Sequence, residues 1–193
     1  MSRIESRVVS IVRDDIDTDQ IIPARYLRTT EKTGLADGLF AGWRYDGNGD
    51  VKPDSVLDSP ANQGAKILLS GQNFGCGSSR EHAAWALLDW GFVAVIARSF
   101  ADIFRENAVK NGIVPVALDA GDHARLVAAA NADGGLMVTV DVEADNVRLA
   151  DGTTFAFALD PFAKQCLVSG TDALGYLMAR KADIDRFERE RES

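Results

Sequence analysis

One glycine-rich segment, residues 71–83 (GQNFGCGSSREHA), carries the densest set of residues that could do chemistry. It follows an apolar run and precedes a helical pattern, and Gly75 and Gly77 would let the backbone turn tightly between the two. Free N–H groups and the dipole at the start of the helix would attract an anion. Arg80 adds a planar fork that matches a carboxylate or a phosphate. The segment therefore predicts a pocket for a small polyanion.

The same segment also has a purely structural interpretation. Ser78 and Glu81 have the spacing of a capping box, which stabilises a helix start without any catalysis. Arg80 would then be an exposed first-turn residue and His82 a hydrogen-bonded helix histidine. The loop lacks the Gly-Lys-Ser/Thr ending of a P-loop and the third glycine of the dinucleotide-binding fingerprint, so it matches neither nucleotide motif. Anion binding and helix capping both remain open at this point.

Metal chemistry would have to come from elsewhere, because the chain has only two cysteines, Cys76 and Cys166, and two histidines. Two unclustered cysteines cannot hold a four-cysteine iron–sulfur cluster, and their spacing fits no zinc ribbon or finger. We interpret both as reduced packing residues, and we expect no metal site in this chain.

The overall composition limits the class of protein. The 193 residues suit one domain with a sizeable core, and 46% of them are hydrophobic. A formal charge of −8 argues against non-specific nucleic-acid binding, which needs clustered Lys and Arg. No apolar stretch approaches the roughly 20 residues that span a bilayer, and none resembles a signal-peptide core. We therefore expect a cytoplasmic protein that binds neither nucleic acid nor membrane.

The elements that must position the segment alternate between strands and helices, as in α/β proteins. Short apolar runs predict strands covered on both faces at residues 7–12, 66–70, 92–97 and 114–117. Helical patterns fall at residues 79–89, 101–111 and 121–132. Ser99 is a candidate cap of the second helix, and Asn111-Gly112 is its expected stop. Residues 45–63, rich in Gly, Asp, Asn and Pro, predict a long loop.

The pattern changes in the last third of the chain. Residues 137–142 alternate apolar and polar, and a two-residue hairpin turn at Asp151-Gly152 precedes another strand-like run at 153–159. A last helix with a solvated charged face is predicted from about residue 171, carrying Leu174, Leu177, Met178, Ile184 and Phe187. No repeat or linker divides the chain, so we expect one domain over residues 1–193 with a mainly helical, charged tail.

Several motifs resemble those of one known family. Residues 77–83 are similar to the active-site motif of the aconitase family's swivelling domain, and residues 17–23 (DTDQIIP) resemble its N-terminal motif. Other segments are similar to the small subunits of bacterial isopropylmalate isomerases in particular, namely residues 34–40, 43–45, 99–104 and 160–167. The motifs occur in the right order over most of the chain, and by this resemblance the chain is identified as a member of that family.

The resemblance implies both a fold and a reaction. The fold would be α/β, a single β/β/α swivelling domain like the aconitase C-terminal domain, with added strands forming a second layer. The reaction would interconvert 2-isopropylmalate and 3-isopropylmalate through 2-isopropylmaleate, by dehydration and rehydration in leucine biosynthesis. In this family a [4Fe–4S] cluster lies on a separate large subunit. This chain would then carry no cofactor itself, would bind a small dicarboxylate, and would supply half of an active site.

The resemblance also implies roles for individual residues. Ser78 would take the carbon-bound proton of the substrate, and Ser79 and Arg80 would bind a substrate carboxylate. Asp19 would lie beside them, whereas Asp17 would serve as a turn or capping residue. The loop facing the variable group of the substrate would consist of Tyr26, Leu27, Arg28 and Thr29.

One departure and two alternatives accompany this assignment. The family often has further basic residues after Asp-Pro-Phe, where this chain has Ala163, Lys164 and Gln165. Small subunits that act on homoaconitate, citraconate-type or dimethylmalate substrates follow the same plan, although the spacing between Asp19 and Ser78 favours isopropylmalate. The alternative from a different class is a non-catalytic anion-binding module. A neighbouring gene for a partner with three cluster cysteines would distinguish the two.

Overall fold

In a computed structural model, seven strands form the centre of the molecule. The structure describes residues 2–27, 31–172, 175–176, 178, 180–181, 186–187, 189 and 191. The strands are β1 (Arg3–Ile11), β2 (Ile67–Ser70), β3 (Ala94–Ala97), β4 (Val114–Ala117), β5 (Met137–Asp141), β6 (Asn146–Leu149) and β7 (Thr154–Ala156). The helices are α1 (Thr18–Ile21), α2 (Ala41–Arg44), α3 (His82–Trp90), α4 (Asp102–Lys110), α5 (Ala120–Ala132) and α6 (Pro161–Ser169). None of these helices is long and apolar enough to cross a membrane.

The strands lie in the order β4-β3-β2-β1-β5-β6-β7. The four strands from β4 to β1 are parallel, and α3 and α4 connect β2 to β3 and β3 to β4. All residues of β2 and β3 are buried, as predicted for strands covered on both faces. The predicted bounds of β4 are confirmed to the residue. This half of the molecule is the α/β unit that the alternating sequence pattern indicated.

The other three strands continue the same sheet in antiparallel fashion. β5 pairs with the free edge of β1, from Arg3 opposite Asp141 to Arg7 opposite Met137, and β6 and β7 follow. Buried residues of this half share one apolar cluster with residues of the parallel strands, among them Val138, Val147, Phe155, Ile67 and Ile96. The sheet therefore curls so that its antiparallel half covers one face of its parallel half. The implied α/β fold with a second layer of strands is confirmed.

A second apolar cluster fills the opposite face of the parallel strands. It joins α1, α3 and α4 to the segment that carries α2, through buried side chains that include Ile21, Leu39, Phe40, Leu87 and Phe104. Phe40 adopts a left-handed backbone conformation, with φ of 47°, and its N–H donates to the carbonyl of Ile21 at 2.8 Å. The helix α1, which lies within the 17–23 motif, is thereby held against the core.

Arg44 connects the predicted long loop to this cluster through an ion pair with Asp58. It is buried, and its Nε and Nη2 donate to the two carboxylate oxygens of Asp58 at 2.9 and 2.8 Å. Burial alone would lower the pKa of Arg44, but the hydrogen bond and charge of Asp58 leave it raised. The Arg44 hydrogen bond, together with one from Ser55, lowers the pKa of Asp58 despite its partial burial. The loop at residues 45–63 is confirmed, and this ion pair closes it.

The sequence-based bounds fail where distant contacts decide the local structure. β1 begins at Arg3 rather than at residue 7, because its first five residues pair with β5 and its last four with β2. Ser99 does not cap α4, since its Oγ accepts the backbone N–H of Asn73 at 2.9 Å and the N-cap residue is Ala101. The expected helix stop at Asn111-Gly112 is confirmed, with Gly112 at φ +85°.

Four elements are absent from the sequence-based assignment: the short helices α1 and α2, the strand β6 and the helix α6. β6 pairs with β7 around the predicted Asp151-Gly152 turn. The Leu149 N–H donates to the Thr153 carbonyl, so the turn consists of the three residues 150–152 rather than two. α6 begins at a cap that the sequence does show, an aspartate before Pro161, and ends at a left-handed Gly170. Of the predicted last helix, Met178 and Phe187 are exposed, whereas Leu174, Leu177 and Ile184 lie outside the described residues.

Candidate active site

The loops that follow β1, β2 and β3 meet at the carboxyl edge of the parallel strands. Asp17 forms a short parallel bridge with Cys76, and Phe74 forms another with Phe100. The loop after β2 is therefore held between its two neighbours. Open α/β sheets bind their ligands in crevices at this edge, so the glycine-rich segment lies where a site is expected.

Two glycines give the central loop its path. At Gly75, with φ +79°, an added Cβ would lie 2.2 Å from the ring of Phe104, so a side chain has no room. At Gly77, with φ +92°, the nearest atom would be the Cβ of Asp17 at an ordinary 3.4 Å. Gly75 is thus required by conformation and packing together, and Gly77 by conformation alone.

A pair of left-handed residues fixes the relative position of the first two loops. Asp15 and Asn73 both have φ of 55°, and the Asn73 Nδ2 donates to the Asp15 carboxylate at 2.8 Å. Asparagine and aspartate tolerate this conformation better than other residues with a side chain, although it still stores about 1 kcal/mol at each position. The two loops are consequently held in a defined register next to Ser78.

Ser78 is not a helix cap. The helix α3 begins only at His82, and its N-cap residue, Glu81, makes no side-chain cap. The Ser78 Oγ lies 3.0 Å from the Thr18 Oγ1, which also accepts the Ser78 backbone N–H at 3.2 Å. The capping-box interpretation is therefore wrong, because a contact across 60 residues of sequence draws Ser78 towards α1.

Glu81 is engaged on the other side of the helix start. Its two carboxylate oxygens accept from the Asn111 Nδ2 at 2.8 Å and from the Lys110 Nζ at 2.9 Å. Burial alone would raise the pKa of Glu81, but these hydrogen bonds lower it. Glu81 is thus an ionised residue that ties α3 to α4, and the ring of His82 packs on Trp85 with centroids 4.5 Å apart.

Free backbone donors precede α3. Within the described part of the chain, the N–H groups of Ser79, Arg80 and Glu81 have no hydrogen-bond acceptor. They come directly before the first turn of a nine-residue helix, where the helix dipole adds partial positive charge. Ser78 and Ser79 are exposed beside them. The arrangement can bind a carboxylate next to a serine hydroxyl.

Arg80 pairs with Asp19, as the resemblance implied. The Arg80 Nη1 donates to the Asp19 carboxylate, and the side chains are 26% and 57% exposed respectively. The Nε and Nη2 of Arg80 have no acceptor among the described residues, so one planar edge of the guanidinium is available. Asp17 caps α1 instead: it accepts from the Gln20 N–H at 2.7 Å, and the Gln20 side chain accepts in return.

The cysteines do not form a metal site. Burial raises the pKa of Cys76, with further contributions from Asp17 and Asp15, so its thiol is protonated at neutral pH. Cys166 is buried on α6, and burial raises its pKa too. No group of three or more His, Cys, Asp or Glu residues in the described ranges could hold a metal ion. The donor set of the described residues therefore does not fit an iron–sulfur cluster.

The predicted specificity loop is described only in its first half. Tyr26 and Leu27 are half-buried and pack against the cluster beneath the site, where the Tyr26 ring lies over Gly38. Arg28 and Thr29 lie outside the described residues. The described half anchors the loop to the core.

The Asp-Pro-Phe motif starts α6. Asp160 accepts from the backbone N–H groups of Phe162 and Ala163, both at 3.0 Å. The Lys164 Nζ lies 2.6 Å from the carboxylate of Asp145 in the β5–β6 turn. A cavity of about 640 Å³ lies between α4 and α6, and its lining includes no residue of the 71–83 segment. Residues 163–165, where this chain lacks the further basic residues that are common in the family, thus belong to α6, and the contacts described here for α6 do not involve the 71–83 segment.

Comparison with known proteins adds evidence independent of this geometry. The family of the aconitase C-terminal domain matches residues 4–121, and the family described as LeuD_N matches residues 124–161. A 3-isopropylmalate dehydratase small subunit of Anaeromyxobacter sp. (strain K) is 57% identical over 185 residues, which cover 96% of this chain and 95% of that protein. One of Roseiflexus sp. (strain RS-1) is 52% identical over 191 residues, covering 99% and 94%.

A solved structure agrees with these relatives. The crystal structure of 3-isopropylmalate dehydratase (leuD) from Methanocaldococcus jannaschii superimposes with a TM-score of 0.70 at 29% identity. The alignment covers 95% of this chain and 98% of that one. Both the fold and nearly the full length of the chain are therefore matched by proteins of one kind.

Proposed function

The chain belongs to the aconitase C-terminal domain family, among the small subunits of 3-isopropylmalate dehydratase, and from its site we propose that it supplies the proton-transfer half of the active site. It is a subunit of a hydro-lyase of leucine biosynthesis that works with a large subunit. The observation that carries the proposal is the meeting of Ser78 with Thr18 and of Arg80 with Asp19, across loops that are about 60 residues apart in sequence.

Substrate binding is proposed to use the free donors before α3. The available edge of Arg80 matches a carboxylate with two parallel hydrogen bonds, and the Ser79 N–H and hydroxyl add two further donors. Asp19 fixes the other side of the guanidinium, so the fork is oriented before the substrate arrives. The substrate is thereby held with its reacting carbon next to Ser78.

Ser78 is proposed to act as the base. Its alkoxide takes the proton from the carbon next to a carboxylate, and the electron pair of that C–H bond becomes the new double bond. The hydroxyl on the adjacent carbon leaves with its bonding pair as hydroxide, which takes a proton from solvent to become water. On rehydration, water gives hydroxide to the carbon that lost the proton and its own proton to solvent, while the proton held on Ser78 goes to the carbon that lost the hydroxyl and the alkoxide is restored. A serine hydroxyl is a very weak acid, so this role needs a preorganised field. The N–H groups of Ser79, Arg80 and Glu81 and the charge of Arg80 contribute to such a field.

The large subunit is proposed to carry the [4Fe–4S] cluster, which would supply the Lewis acid for the departing hydroxyl. This chain's described cysteines are separated, protonated and unsuited to hold it. The substrate proposed is isopropylmalate rather than the diacids of related hydro-lyases.

Reconstitution tests the proposal. The purified chain is mixed anaerobically with the cluster-bearing large subunit and assayed with 3-isopropylmalate, homoaconitate and a dimethylmalate. We expect no turnover by the chain alone, turnover on mixing, and the highest kcat/KM with 3-isopropylmalate. Dehydration by the isolated chain would contradict the half-site proposal, and a higher kcat/KM with another diacid would contradict the substrate.

A further inference from the structure

We propose that Thr18 is a positioning residue for the reaction: it orients the Ser78 hydroxyl and donates a hydrogen bond to the Ser78 oxygen when that oxygen is deprotonated. This inference rests on the proposed role of Ser78 as the base. Thr18 lies between Asp17 and Asp19 in the N-terminal motif, and the sequence alone indicates no role for its side chain.

The direction of the hydrogen bonds follows from the donors present. The backbone N–H of Ser78 can only donate, so the Thr18 Oγ1 accepts it at 3.2 Å. The single proton of the Thr18 hydroxyl then remains available for the Ser78 Oγ, 3.0 Å away. In the neutral enzyme either hydroxyl can be the donor. An alkoxide has no proton to give, so once Ser78 is deprotonated Thr18 must be the donor, and the bond becomes charge-assisted.

Thr18 is held rigidly from several sides. Its side chain and backbone are almost completely buried, at 1% exposure, whereas Ser78 is exposed. The Thr18 N–H donates to the Cys76 carbonyl at 2.9 Å, which fixes its backbone to the loop that carries Ser78. A threonine also has restricted χ1 freedom because its Cβ is branched. A donor that is already in place requires no reorganisation when charge develops on the serine oxygen.

The contact links two distant parts of the chain. The Ser78 Oγ hydrogen-bonds to the Thr18 Oγ1 at 3.0 Å, across 60 residues of sequence. Thr18 also makes no hydrogen bond to Arg80 or to the carboxylate of Asp19, so its removal leaves the carboxylate-binding pair untouched. Loss of Thr18 should therefore affect the chemical step more than substrate binding.

The test compares variants in the enzyme reconstituted with the same large subunit. Thr18→Val keeps the branched shape and removes the hydroxyl, and we expect kcat to fall about 10- to 100-fold, as for loss of one charge-assisted hydrogen bond. KM should stay within about twofold, because uniform binding is unchanged. Thr18→Ser, which keeps the hydroxyl, should retain most of kcat. Thr139→Val on β5, a half-buried strand position, is the matched control and should leave both parameters unchanged.

A double variant separates positioning from a general structural role. If Thr18 acts only through Ser78, Thr18→Val combined with Ser78→Ala should be no slower than Ser78→Ala alone. Additive losses, or a raised KM together with a lowered melting temperature, would overturn the proposal in favour of a structural role. If Thr18→Val fails to assemble with the large subunit, the smaller Thr18→Ala enters the same comparison.

The same assays distinguish failure of this inference from failure of the proposed function. Normal turnover by Thr18→Val with loss of turnover by Ser78→Ala would overturn the role of Thr18 and leave Ser78 as the base. Normal turnover by Ser78→Ala would overturn the proposed base itself, and the role of Thr18 with it.

Discussion

Replacing Arg80 by lysine probes the carboxylate clamp while the charge is kept. In the structure Asp19 accepts from the Nη1 of Arg80, and the Nε and Nη2, which have no acceptor among the described residues, are the donors proposed for the substrate. A lysine ammonium can meet Asp19 or the substrate as a point charge, but it has no planar edge for two parallel hydrogen bonds. The change therefore removes one charge-assisted hydrogen bond, about 1.5–3 kcal/mol. Since Arg80 is 26% exposed, water offsets part of this loss. We expect about 1.5–2 kcal/mol, or a roughly 10- to 30-fold lower kcat/KM.

The assay measures kcat/KM for the Arg80→Lys and wild-type chains, each with the same saturating large subunit under anaerobic conditions. Iron content must be matched, because loss of the cluster would lower the rate in the same way. Arg125→Lys is the control, since Arg125 is exposed, pairs with the half-buried Asp122 on α5, and is replaced by a residue of the same charge. Equal kcat/KM for Arg80→Lys, Arg125→Lys and wild type would refute the clamp.

Two further predictions concern the framework of the site. Gly75→Ala should lower the free energy of unfolding by about 3 kcal/mol, because residue 75 has a left-handed backbone and the added Cβ would clash with the Phe104 ring. Gly77→Ala should lower it by about 1 kcal/mol, because only the left-handed backbone is unfavourable there. Equal losses in urea unfolding would contradict this. The lowered pKa of Asp58 means that its pair with Arg44 stabilises the fold above the ordinary carboxyl pKa of about 4, and that this stability disappears as the pH falls through the lower pKa of the folded state. Asp58→Asn should therefore lose about 3 kcal/mol at pH 7 and much less once the pH is below the pKa of Asp58 in the folded state, and a loss independent of pH would be the contrary result.

The parts of the fold that could be predicted are those decided by local patterns. β4 and the helices α4 and α5 lie within one residue of their predicted bounds, because a local apolar run or helical pattern decides each of them. β6 is absent from the sequence-based assignment although Asn146 to Leu149 alternate polar and apolar residues, because the run is only four residues long. α6 could have been found, because an aspartate before Pro161 and a glycine at position 170 are start and stop signals.

The site could be predicted only in part, because its contacts are long-range. The spacing of Ser78 and Glu81 favours a capping box. In the structure, however, Ser78 hydrogen-bonds to Thr18. Glu81 accepts hydrogen bonds from Asn111 and Lys110 at the end of α4. No local sequence pattern indicates a hydrogen-bond partner that is 60 residues away. The family resemblance, rather than a local pattern, predicted that Asp19 lies near Arg80, and in the structure the two side chains form an ion pair.

The most direct test of the central claim is the rate of Ser78→Ala in the reconstituted enzyme, measured together with its melting temperature and its binding of a non-reacting dicarboxylate. As the proposed base, Ser78 should be needed for turnover while the fold, the complex and ligand binding stay nearly unchanged, because its side chain is exposed and caps no helix. We expect turnover to fall at least 1,000-fold, of the order seen when a catalytic base or nucleophile is removed. Near-normal turnover, with or without a lower melting temperature, would contradict the account.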